Sequence, residues 1–194
     1  MRALVIYCHP NPDSLIAAAR DRALAGLAAG GHEVRLTDLY AEGFDPAMTA
    51  DERRAHKTPG VAAGLQRYAD DLMWAEMLVL IYPTWWSTQP AMLKGWFDRV
   101  WVAGVAWQQP PHANTIKPLL TRIRRIVVVT THGSPKYLNA LEGESGKRTV
   151  TRALRAMCAR RARTTWCAFY GVANADEPRR LRFLDRVERT LAKP

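Results

Sequence analysis

Long hydrophobic runs are missing from this chain of 194 residues. No segment approaches the roughly 20 consecutive apolar residues that cross a bilayer. The opening Met1-Arg-Ala-Leu-Val-Ile-Tyr-Cys8 is apolar but short, and it runs into His9-Pro10 without the small-residue cleavage site of a signal peptide. A soluble, cytoplasmic protein with no membrane span is expected. Cysteine is scarce. Cys8, Cys158 and Cys167 are odd in number and lack paired spacing, which argues against a disulfide framework. Cys8 ends an apolar run and reads as a buried thiol rather than a nucleophile. His9, His32, His56, His112 and His132 share no ligand spacing, and HExxH is absent, so no metal site is expected. A P-loop and a GxSxG elbow are also absent, which leaves triad hydrolysis without support.

Acidic residues are few in the second part of the chain. Residues 1–116 carry 10 Lys and Arg against 12 Asp and Glu, whereas residues 117–194 carry 18 against 6. This asymmetry suits nucleic acid, a membrane surface, or an enzyme that attracts phosphate-bearing anions. The arginines are spread over helix-like segments and no nucleic-acid motif accompanies them, so no nucleic-acid partner is expected. A solvated basic face accounts for them equally well.

What is present alternates between two periodicities. Arg2–Cys8, Glu33–Leu39, Met77–Tyr82, Arg125–Thr131 and Thr165–Tyr170 read as strands. Between and after them, Leu15–Ala29, Gly64–Trp74, Pro90–Ala103, Ser145–Ala162 and Pro178–Leu191 carry apolar residues at helical spacing. Asp13 or Ser14 caps the first helix and Gly30-Gly31 ends it. The segment 40–64 is irregular, with a short helix opening near Thr49-Ala-Asp-Glu52. Met92, Leu93, Trp96, Phe97, Val100 and Trp101 make an apolar face wider than one sheet contact needs, so part of it is expected to meet a subunit partner.

Strands alternating with helices predict an α/β fold, a parallel sheet wound on both faces. Five strands without a glycine fingerprint at the first turn favour the flavodoxin-like order 2-1-3-4-5. No repeat and no linker divides residues 1–194, so a single domain is expected. In that order the loops after strands 1, 3 and 4 converge: His9–Ser14, Pro83–Gln89 and Thr131–Tyr137. The first precedes a helix N-terminus, whose free N–H groups suit a phosphate. The second holds adjacent tryptophans, Trp85 and Trp86, which are costly to leave wet; core or subunit packing would account for either alone, and the pair directly after strand 3 favours a flat ligand.

Three stretches carry a resemblance: His9-Pro-Asn-Pro-Asp-Ser14, Tyr82-Pro-Thr-Trp-Trp-Ser-Thr-Gln-Pro-Ala-Met-Leu-Lys-Gly-Trp-Phe-Asp-Arg-Val100 and Thr130-Thr-His-Gly-Ser134. They are similar to the NAD(P)H:quinone oxidoreductase family of flavodoxin-like proteins, in order, from Met1 to about Gly171. The resemblance implies a homodimer with a non-covalent flavin, NAD(P)H as co-substrate and a quinone-like acceptor, with hydride passing in two ping-pong halves. It places His9, Ser14 and Leu15 by the flavin phosphates. Pro83, Thr84, Trp85, Trp86 and Ser87 would line the ring, and Thr131, His132 and Gly133 would meet its edge. FMN is expected ahead of FAD, because the chain is short and shows no adenine site. The sequence departs from the family at Ile16, where an Asn is usual, and at His132-Gly133, where Gly-Gly is usual. Of the family's proton-handling Tyr and His, only Tyr137 has a counterpart. Tyr137 and His132 are the expected catalytic pair. The alternative is a non-catalytic flavodoxin-like interaction protein.

Overall fold

The computed structural model describes residues 1–193. Its main sheet has five parallel strands, β1 (Arg2–Tyr7), β2 (Glu33–Asp38), β3 (Met77–Pro83), β6 (Arg125–His132) and β7 (Arg163–Tyr170), in the order β2-β1-β3-β6-β7. These are the five strands expected, in the expected order. Two further strands, β4 (Trp107–Gln108) and β5 (Lys117–Pro118), pair antiparallel within the connection to β6.

The central strands are apolar on both faces, and strict alternation sorts their side chains into two cores. Ala3, Val5 and Tyr7, with Met77, Val79 and Ile81, turn toward α1 (Leu15–Ala29) and α7 (Glu177–Leu191). Leu4 and Ile6, with Leu78, Leu80 and Tyr82, turn toward α3 (Gln66–Trp74) and α4 (Ala91–Val100). Gly26 of α1 lies so close to α7 that a Cβ there would sit 2.4 Å from the Glu188 carbonyl oxygen. A short α2 (Ala50–Arg54) opens on Thr49 with a full capping box, as its sequence implied.

The broad apolar face of α4 is covered within the chain, contrary to the expectation that it meets a partner. Leu93, Trp96, Phe97 and Val100 are buried, and Phe44 and Trp101 pack with them. Gly95 makes this possible: a Cβ there would fall 2.3 Å from the Pro46 carbonyl oxygen, so the segment around Pro46 lies directly on the helix. Trp96, Phe97 and Trp101 meet edge to face at 5.6–6.2 Å, and each such burial contributes roughly 2–3 kcal/mol.

The helix expected over 145–162 is broken up. α6 (Ser145–Arg148) passes into a π-helical turn, Thr149–Leu154, where Val150 reaches the core. Thr149 and Thr151 donate back to the carbonyls of Ser145 and Lys147, at 3.0 and 2.8 Å, a bond that loosens a helix locally. A helix that the sequence reading did not anticipate, α5 (Lys136–Leu141), follows β6.

At the far edge, β7 is covered by cations. Arg186 of α7 donates to the Ala168 carbonyl at 2.6 Å and Arg179 to that of Tyr170 at 3.4 Å. No described helix is long and apolar enough to cross a membrane.

Candidate functional site

The loop after β1 is built from local bonds. The Asn11 N–H donates to His9 Nδ1 at 3.0 Å and the Asp13 N–H to Asn11 Oδ1 at 2.9 Å. Ser14 is the N-cap of α1 and accepts from the Ala17 N–H at 3.1 Å. The N–H groups of Leu15 and Ile16 keep no acceptor among the described residues, and no acidic residue stands in the first turn. That is the donor set a phosphate needs. His9 lies beside the next loop, its ring centroid 6.2 Å from that of Trp85.

The turn after β3 is a two-residue hairpin. Trp85 and Thr88 exchange both N–H···O bonds at 3.1 Å, leaving Trp86 and Ser87 at its tip. Both tip residues have positive φ, 49° and 60°, and neither is glycine. A turn of this hand normally takes Asn-Gly, and the left-handed region costs roughly 1–2 kcal/mol for such a residue. The rest of the protein holds it in place. The Ser87 carbonyl accepts from the Gly146 N–H at 3.0 Å and the Ser145 hydroxyl at 2.8 Å, and the Ser87 hydroxyl donates to Glu142. Gln89 donates to the Gly146 carbonyl at 2.8 Å. The constraint leaves Trp86 99% exposed and Trp85 40% exposed.

The third loop joins them through the end of β6. The Thr84 N–H donates to the Thr131 carbonyl at 2.8 Å, and the hydroxyls of Thr84 and Thr130 are 2.9 Å apart. His132 is buried at the cleft wall. Its Nδ1 is 2.7 Å from Asn139 Oδ1, and Asn139 spends its amide protons on the carbonyls of Ser134 and Pro135. This fixes the amide orientation, so His132 Nδ1–H donates and Nε2 is left to accept from Thr84, at 3.4 Å. Burial lowers the pKa of His132, which favours the neutral ring. The ring stacks on Tyr170 at 4.4 Å between centroids, and the Tyr170 hydroxyl donates to Glu144 at 3.2 Å.

The second and third loops, with α5, wall a cleft of about 740 Å³ formed by Thr84, Trp85, Trp86, Ser87, His132, Gly133, Ser134, Asn139 and Glu142. Four backbone N–H groups around it, those of Trp86, Ser87, Gly133 and Ser134, have no acceptor among the described residues. Gly133 meets no atom within 4 Å in its Cβ direction, so the backbone is bare there. Flat aromatic walls, unsatisfied ring-edge donors and a neighbouring phosphate cradle fit a flavin.

Most of the expected site residues are therefore brought together. Thr84, Trp85, Trp86, Ser87, His132 and Gly133 line the cleft, and His9, Ser14 and Leu15 form the adjoining loop. Pro83 and Thr131 are buried behind it. Tyr137 is 66% exposed on α5 and stands outside the cleft wall. Asn139, Ser145, Gly146 and Tyr170 were not anticipated. Only Tyr170 left a readable signal: it and His132 each precede a glycine at the ends of adjacent strands, and the register pairs them. Cys8 is buried as expected, its pKa pushed up to about 12 by desolvation.

A sequence profile for proteins of flavodoxin-like fold matches residues 1–190. A ribosyldihydronicotinamide dehydrogenase-like protein of Penicillium crustosum is 31% identical over 173 residues, which covers 75% of this chain and 62% of that one. NAD(P)H dehydrogenase [quinone] 1 of Cavia porcellus is 28% identical over 166 residues, covering 77% and 59%. The chain spans 54–64% of the length of the curated relatives it matches. Among solved structures, Smu.1420 of Streptococcus mutans superposes with a TM-score of 0.86 at 29% identity, covering 99% of each chain. An FMN-dependent NADH-azoreductase of Bacillus anthracis, solved with FMN, superposes with a TM-score of 0.75 at 14% identity, covering 99% of this chain and 98% of that one, a likeness of fold. The chain belongs to the flavodoxin-like family, and its relatives there include proteins named as NAD(P)H dehydrogenase [quinone] and ribosyldihydronicotinamide dehydrogenase [quinone].

Proposed function

We propose that the protein is a flavin-dependent NAD(P)H oxidoreductase that passes two electrons to quinone-like acceptors, with FMN as the expected flavin. The observation that carries this reading is the cleft itself: an exposed indole beside four unsatisfied backbone N–H groups, next to a helix N-terminus with free donors. A bound flavin would supply the hydride chemistry, taking hydride from the nicotinamide and giving it to the acceptor in separate half-reactions. Everything else falls to this chain's residues.

The N–H groups of Leu15 and Ile16, with Ser14, hold the phosphate end. Trp86 would pack against the flavin ring. The N–H groups of Trp86, Ser87, Gly133 and Ser134 address the heteroatoms at its edge, where fixed donors in a sheltered cleft stabilise developing negative charge. His132, neutral and engaged at both nitrogens, acts as a positioning residue, holding the Thr84 hydroxyl in place at the cleft wall. Tyr137 remains the candidate for polarising an acceptor, and it does so across a homodimer. Tyr137, Leu138 and Leu141 are 66%, 37% and 81% exposed on α5, an apolar face close to the cleft that a second copy would cover.

The test is spectroscopic. The purified protein is expected to bind FMN, lose the flavin absorbance under NADPH without oxygen, and regain it on adding a quinone. Trp86→Ala is expected to weaken FMN binding about tenfold, the scale of a lost stacking contact. Protein that binds neither FMN nor FAD would overturn the reading in favour of a non-catalytic role.

A further inference from the structure

Gly133 is shared by two hollows. On one side is the aromatic cleft. On the other is a pocket of about 440 Å³ lined by Gly133, Pro135, Lys136, Tyr170, Gly171, Asn174 and Arg179. The stacked pair His132 and Tyr170 forms part of the partition, since His132 faces the first hollow and Tyr170 the second. Gly133 is the lining the two hollows have in common, and no atom lies within 4 Å in its Cβ direction.

The second pocket is cationic and has no carboxylate in its wall. Lys136 is exposed and makes no ion pair among the described residues. The Arg179 guanidinium is steadied by the Tyr170 carbonyl at 3.4 Å and by the Phe169 ring at 5.5 Å, contacts that leave most of its donors unspent. Asp176, the N-cap of α7, turns its carboxylate to the Arg179 backbone N–H at 3.0 Å. Arg179 also borders a third hollow, with Arg182, Arg186 and Arg189, so positive potential extends beyond the pocket. The basic excess of residues 117–194 is thus partly gathered beside the cleft.

We propose that the pocket between Lys136 and Arg179 is an anion subsite that recognises the phosphate monoester of the hydride donor, so that NADPH is selected over NADH. This rests on the reading of the cleft as a flavin and nicotinamide site. Two cations converging on one phosphate give charge-assisted hydrogen bonds of the strong kind, and the unphosphorylated dinucleotide has nothing to offer them.

The test measures binding directly. Isothermal titration of the purified protein with adenosine 2′,5′-bisphosphate and with 5′-AMP is expected to show about a tenfold preference for the bisphosphate. Lys136→Gln and Arg179→Gln are each expected to remove most of that preference. Arg161→Gln, an equal change of charge before the opposite end of β7, is expected to retain it. FMN titration of the same variants is expected to stay within about twofold of the parent, and because Arg179 also covers the β7 edge, their melting curves accompany the titrations. Equal affinity for the two nucleotides, a preference that survives both substitutions, or a loss shared by Arg161→Gln overturns the proposal. So does a parallel fall in FMN affinity, which would make the pocket part of the flavin's own phosphate site. A protein that discriminates the nucleotides but binds no flavin keeps the anion subsite and sinks the flavin reading.

Discussion

The loop after β1 and the turn after β3 are neighbours, His9 lying beside Trp85, but they are fixed by different means. Residues 9–14 bond to neighbours two or three positions away: Asn11 to His9, Asp13 to Asn11, Ala17 to Ser14. Residues 84–89 are fixed by groups 46–58 positions away, at Thr130, His132, Glu142, Ser145 and Gly146. A local motif is robust because its parts arrive together in the chain. A turn with two left-handed non-glycine residues persists only while its surroundings over-determine it. The loop after β1 is therefore self-sufficient, and the turn after β3 depends on the segment after β6.

The largest effect is expected where that dependence is most concentrated. A Cβ on Gly146 would sit 3.0 Å from Thr88 Cα and 3.3 Å from the Ser87 oxygen. Gly146→Val should destabilise by roughly 2 kcal/mol through overpacking and release the turn. Chemical denaturation should show the lower midpoint, and FMN affinity should fall although no flavin-facing atom has changed. Retained affinity would break the comparison, because the turn would then hold without its clamp. Ser14→Ala comes next, at about 1 kcal/mol for a lost N-cap. It should lower the midpoint and leave the turn intact, which Trp86 fluorescence can follow.

The smallest effect is a pH dependence. Burial lowers the folded-state pKa of His132 below the unfolded value of about 6.5. As pH falls through that value the unfolded chain takes up a proton that the folded protein refuses, so stability is full above it and declines toward the lower folded pKa. His32, also lowered by burial, contributes in the same sense. His132→Gln should flatten the decline without abolishing it, read as the unfolding midpoint at pH 7.5 against pH 5.5. An unchanged slope would show that His132 is not held neutral.

How far these regions could be read from sequence follows the same divide. Strands apolar on both faces, the Ser14 cap and the order of the three loops depend on residues close together, and all were legible. The Trp85-Trp86 turn was visible as a site, but its strain was not, because nothing near Trp86-Ser87 resembles Asn-Gly. Asn139 and Gly146 carry no local mark of what they hold, and α5 is too short for a helical stripe. The width of the α4 face was misread as room for a partner, since the sequence gives no hint that Pro46 comes to rest on Gly95.

The arginines on the rim of the sheet have a further consequence. An incoming strand from any other polypeptide would need the carbonyls of Ala168 and Tyr170, and Arg186 and Arg179 already occupy them. Annexing that rim would mean displacing two guanidinium groups and bringing the newcomer against a row of like charges. The protein thereby resists ribbon-like polymerisation from β7, and copies of it that associate must do so elsewhere than along this edge.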